Sequence, residues 1–219
     1  MTAPTNPDRP PVAPARRLTP FRVPQFRLPP GLRDVLLVVL GAALALAAEQ
    51  WRDARSEHRR VALAIGGIRA ELVDNIARVE RARAHHLQMA DTLASYVARG
   101  ALPPERVYFG GIVQPALPLS TAWQAARETG TLADLPYPLV LALGPVYEEQ
   151  TRYRGLGDAL AQSTMIDVQH RGALPVFRDA FSNFIVIDHD FANREMVLAN
   201  DYRRTLAKLD SVREFIAPR

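Results

Sequence analysis

The chain has 219 residues, a net charge of +4 and no cysteine, which excludes disulfide frameworks, Cys-ligated zinc or iron–sulfur centres and thiol catalysis. Aromatics make up 7% and glycines number only 12, while alanine, leucine and arginine abound, so the composition favours helices over a sandwich or barrel. Arginine supplies almost all the positive charge, with Lys208 the single lysine, and before Asp34 the sole acid is Asp8. Basic residues beside an apolar segment read as a topology signal rather than a nucleic-acid footprint.

Residues 1–31 hold half of the 18 prolines, interspersed with Arg9, Arg16, Arg17, Arg22 and Arg27. Without apolar periodicity nothing offsets the ordering entropy, and a disordered basic tail is expected. Next, Val35 to Ala48 form an unbroken apolar run of 14 residues, flanked by Arg33-Asp34 and Glu49-Gln50-Trp51. At 1.5 Å per residue the run covers roughly 21 Å, short of a bilayer core of about 30 Å. Counted over 32–51 the segment is long enough, with Arg33 snorkelling at one interface and Trp51 seated at the other. The run is apolar on every side, so a transmembrane helix is predicted over 32–51. A cleaved signal peptide and a buried soluble helix are the rivals.

Residues 52–219 are expected to form an extramembrane helical domain. A long helix over Glu49–Arg99 is marked by Val61, Ile65, Ile68, Leu72, Ile76 and Val79 at steps of three or four, and Leu87, Ala90, Leu93 and Val97 continue the stripe. Gly66-Gly67 is a possible bend, and Gly100 and Pro103-Pro104 stop the helix. Residues 100–119 read as a loop with an extended piece. A second helix begins near Ser120 or Thr121, with a Thr121/Gln124 capping box and Gly130 as C-cap. Pro138 opens a third, Leu139 to about Val168, kinked or delayed at Gly144-Pro145. After Gly172 and Pro175 a shorter helix carries Phe177, Phe181, Phe184, Ile185 and Ile187, and a last one runs from Phe191 to Ile216. The fold class is all-α: one transmembrane helix running into a long helix, then a small bundle.

The candidate chemistry is thin. His85-His86 point about 100° apart on a helix and read as solvated side chains rather than metal ligands. Asp188-His189-Asp190 reads as the polar start of a helix. Asp167 and His170 have metal-bundle spacing but no second pair, and no Glu-x-x-His occurs. Glu148-Glu149 form a solvated face, and Gly155-Leu-Gly157 lacks the rest of a dinucleotide loop. No catalytic residue, metal ligand or cofactor is assigned. The expected partners are the lipid bilayer and either an unknown protein or a second copy of the chain. Nucleic acid is not expected, because only Phe21 and Phe26 accompany the N-terminal arginines.

The stretch from Asp34 to Trp51, together with Thr121-Ala-Trp-Gln-Ala-Ala-Arg-Glu-Thr-Gly130, resembles an uncharacterised bacterial family of small single-pass membrane proteins. In that family a hydrophobic helix leads into a polar-polar-Trp signature. The chain departs from it in having Glu49-Gln50 where asparagines are usual, and in its long basic leader. The resemblance implies a bitopic membrane protein with a helical domain and transfers no site residues. The leading expectation is therefore an inner-membrane protein, residues 1–33 cytoplasmic and the helical domain periplasmic, acting as a sensory, scaffolding or partner-binding module. A membrane-tethered, metal-dependent hydrolase is the alternative, and a soluble coiled coil a third.

Overall fold

A computed structural model describes residues 29–109 and 111–216, apart from the side chains of residues 30, 32, 33, 109 and 212–216. The N-terminal tail and the Arg33 side chain lie outside the described residues. The elements are α1 (Pro30–Ala98), α2 (Glu105–Phe109), α3 (Thr121–Glu128), a 3-10 turn (Thr131–Asp134), α4 (Tyr137–Arg171) and α5 (Ala173–Ile216). The protein is all-α, with no strand among the described residues.

The chain divides into two units, Met1–Gln50 and Trp51–Arg219. In the first, Val35 to Leu40, Leu44 and Leu46 are each more than half exposed. The helix containing this run is long and apolar enough to cross a membrane, and none of its most apolar window is buried within the protein.

In the second unit the α1 segment from Trp51, α4 and α5 form a three-helix core. Cross-links give the directions. Arg69 meets Asp210, Glu80 meets Arg203 and His86 meets Glu195, so α5 runs antiparallel to α1. Glu71 bonds Tyr147 and Asn75 bonds Gln150, so α4 runs parallel to α1.

Each core helix buries a stripe with alternating steps of four and three, the spacing that keeps one seam facing its neighbours. On α1 the stripe is Val61, Ile65, Ile68, Leu72, Asn75, Val79, Ala82 and His86. On α5 it is Phe184, Asp188, Phe191, Glu195, Leu198, Tyr202, Thr205 and Leu209. On α4 it is Leu139, Leu143, Val146, Gln150 and Tyr153. Each fully buried aliphatic or phenyl side chain contributes about 1.5–3 kcal/mol, so the apolar members supply the driving force.

Several expectations need correction. Residues 173–216 make one helix, not two, because Asp188 belongs to the buried stripe and no glycine or interior proline interrupts it after Pro175. The segment 100–119 contains the short helix α2. In α1, Ile76 and Leu87 are half-buried and Val97 is exposed, while Asn75, Ala82 and His86 occupy the seam. Helix α4 begins at Tyr137 and continues through Pro145. Pro145 and Leu141 both lie on the exposed side, where losing the backbone bond to the Leu141 carbonyl costs least.

A buried polar seam as the candidate functional site

Residues 111–120 form an extended strap that connects α2 to α3 and runs antiparallel to α1. From Gln114 to Leu119 it spans five steps, about 17 Å at 3.3 Å each. The α1 residues it meets, His86 back to Asn75, cover eleven steps, about 17 Å. The strap thus keeps pace with α1 and buries Ala116 in the core. Pro115 and Pro118 suit it to that role, since each fixes an extended-compatible φ and brings no N–H to satisfy.

An extended segment between helices has no ladder of its own, so its backbone groups need side-chain partners. The core helices provide them. The Gln114 N–H donates to His86 Nε2 (3.0 Å), and the Ala116 N–H to Tyr153 Oη (2.7 Å). Asn75 closes a two-bond clasp on Leu119, its Oδ1 accepting from the N–H (2.6 Å) and its Nδ2 donating to the carbonyl (2.8 Å). Gln150 Nε2 also donates to the Leu119 carbonyl (2.9 Å), and Tyr202 donates to Gln150 Oε1 (2.8 Å).

At the strap's end Glu71 caps α3. Its carboxylate accepts from the Ala122 N–H (2.7 Å), the Trp123 N–H (3.4 Å) and the Tyr147 hydroxyl (2.7 Å). A buried acid at a helix N-terminus satisfies donors the helix leaves unpaired and meets its positive end. Trp123 then stacks on Tyr147 at 4.9 Å and 7°. The expected Thr121/Gln124 capping box is replaced by this arrangement: Ser120 is the N-cap, it makes no cap bond through its side chain, and Gln124 Nε2 donates to its hydroxyl (2.9 Å). At the other end Thr129 is the C-cap, and Gly130 follows it with φ of 74°, the left-handed conformation glycine adopts without strain.

The upper end of the seam is the most charged. Glu195 accepts from Tyr153 Oη (2.5 Å) and from His86 Nδ1 (2.9 Å). Because His86 Nε2 accepts from a backbone amide, Nδ1 carries the proton and the ring is the neutral tautomer. Burial, reinforced by Glu195, pushes the Tyr153 phenol far above its ordinary range and keeps it a donor. Asp188 sits beside this group, fully buried, with neither carboxylate oxygen hydrogen-bonded. Burial raises its pKa to about 7, and the charge of Glu195 adds to the rise.

The expectation of two solvated histidines is therefore overturned. His86 is fully buried, and half-buried His85 contacts the Gly111 and Ile112 carbonyls at 3.1 Å each. The two rings do diverge, 5.7 Å apart and inclined by 68°. Asp188 is not a polar helix start, whereas His189 and Asp190 are exposed, Asp190 pairing with Arg194. Asp167 and His170 are exposed, and Glu148 and Glu149 both pair with Arg152. Trp51 is exposed, with the Arg55 guanidinium 5.4 Å above its ring. Among the described residues no three His, Asp or Glu side chains are grouped as a metal ion requires.

Chemically the Tyr153–Glu195–His86 chain resembles a proton relay, but its terminal atom, His86 Nε2, is already engaged by the strap. The arrangement holds backbone in place. No family model, curated protein or solved structure matches the chain.

Proposed function

We propose that the protein is a single-pass membrane protein whose helical unit serves as a sensory, scaffolding or partner-binding module. The observation that carries this reading is the exposed apolar run from Val35 to Ala48, which none of the described residues covers and which lipid would. Orientation follows arginine bias. Six arginines precede the run (9, 16, 17, 22, 27 and 33) and four follow closely (52, 55, 59 and 60), which favours a cytoplasmic N-terminus. The helical unit then lies outside the inner membrane of a bacterium, as the resemblance around Trp51 and Gly130 implies, and membership of that uncharacterised family is part of the same proposal. Binding rather than catalysis is supported by the use of the seam's polar groups to hold the strap.

The absence of cysteine makes the test direct. Single Thr5→Cys and Ser163→Cys variants are treated in intact cells with a maleimide that does not cross the inner membrane. Labelling of position 163 in intact cells, and of position 5 only after lysis, is the expected result. The reverse pattern overturns the orientation. A mature chain starting near Glu49, or release from membranes by alkaline carbonate, overturns the anchor.

A further inference from the structure

Between the second half of α4, the first turns of α5 and the strap lies a cavity of about 390 Å³. Its walls are Ile112 and Pro115 of the strap, Leu160 and Val168 of α4, and Phe177 and Phe184 of α5. The α4 seam continues past Tyr153 with Gly157, Leu160 and Thr164, all of which line the chamber. The volume falls in the range of small-molecule pockets, roughly 300–1,000 Å³, which are typically apolar with a few placed polar groups.

The polar groups at this end of the cavity are a phenol and an arginine-rich ion cluster. Tyr108 lines the cavity, stacks on Phe177 at 6.3 Å, and is 4% exposed; its buried hydroxyl has no hydrogen-bond partner. Arg178 is close enough to act electrostatically on that hydroxyl. Arg171 and Arg178 both reach Asp179, at 2.7 and 3.7 Å, so two cations share one carboxylate at this end of the hairpin. The site offers an unused phenol and surplus positive charge beside an apolar chamber.

We propose that this cavity binds an anionic single-chain amphiphile, its alkyl tail among Leu160, Val168, Phe177 and Phe184 and its acidic head at Tyr108 and Arg178. A volume near the lower end of the small-molecule range suits one medium-length chain rather than a bulky or two-chain ligand. The site lies wholly within the Trp51–Arg219 unit, so it stands independently of the membrane anchor.

The test uses the full chain in phosphatidylcholine nanodiscs, photolabelled with a diazirine derivative of dodecanoic acid and mapped by peptide mass spectrometry. Saturable labelling on the peptides containing Leu160, Val168 or Phe177, competed by dodecanoate, is expected. Leu160→Trp, which fills the chamber, abolishes that labelling. The exposed Arg178→Glu, which leaves the core untouched, weakens dodecanoate competition about threefold or more. Dodecanol competes less well than dodecanoate. Labelling confined to residues 34–50, labelling indifferent to both substitutions, or equal competition by dodecanol would each overturn the assignment. A chain that proves not to be membrane-anchored still reports on the cavity, so the two readings fail separately.

Discussion

At the scale of single residues, the seam separates groups that share a load from groups that carry one alone. Tyr153 accepts from the strap and donates to Glu195, so Tyr153→Phe strands a buried N–H and removes a donor from a buried carboxylate. It should cost about 2–4 kcal/mol in urea unfolding, whereas Tyr202→Phe, which loses one bond to Gln150, should cost about 0.5–1.5 kcal/mol. Equal losses would mean that the strap is not held through Tyr153. Asp188 makes a pH prediction. With a folded pKa of about 7, it keeps a proton that the unfolded chain sheds near 3.9. The native state therefore binds more protons in this window, and stability falls as pH rises from about 4 to 7, by up to about 1.4 kcal/mol per unit from this group. Asp188→Asn removes the ionisation and flattens that slope. Parallel slopes for the two proteins would contradict the assignment.

At the scale of elements, the strap and the stripes explain what was legible. The positions of α1, α3 and α4 follow from steps of three and four, from proline at a helix start and from glycine after a helix end, and these signals are local. The continuity of α5 did not show, because Asp188, Glu195 and Thr205 stand at stripe positions and disguise the periodicity when only apolar residues are counted. His86 and Asn75 conceal part of α1 in the same way. What those residues pair with is the strap backbone, which lies 28 to 44 positions away along the chain and bears no side-chain signature. Placing them needed the fold. Glycines make a sharper test of the strap's seat. Gly155 has open space where a Cβ would stand, whereas at Gly157 a Cβ would come within 3.3 Å of the Pro115 ring. Gly155→Ala should stabilise α4 by about 0.5–1 kcal/mol. Gly157→Ala should forfeit that gain, and a thermal melt of the two variants distinguishes them.

At the scale of the whole molecule, two tryptophans report on the proposed membrane association. Trp123 is half-buried against Tyr147 in the helical unit, and Trp51 is exposed at the proposed interface. In nanodiscs containing brominated lipid, the emission of a Trp123→Phe variant, which leaves Trp51 alone, should be strongly quenched. That of Trp51→Phe should be nearly unaffected. Quenching of neither variant would place Trp51 in water and remove the support for an anchor at that position.

Long helices with repeating apolar seams have an inherent ambiguity: sliding one past another by seven residues re-forms most of the oily contacts. Here such a slip would set Asn75 opposite no amide, leave Glu195 without its imidazole and uncap α3. Buried polar groups exact a heavy penalty when mispaired, so misaligned bundles are disfavoured far more than the correct one is favoured. Replacing Asn75, His86, Gln150 and Glu195 together with hydrophobic residues of similar size would therefore be expected to yield a protein that still collapses and resists heat, but that populates several vertical alignments in place of one.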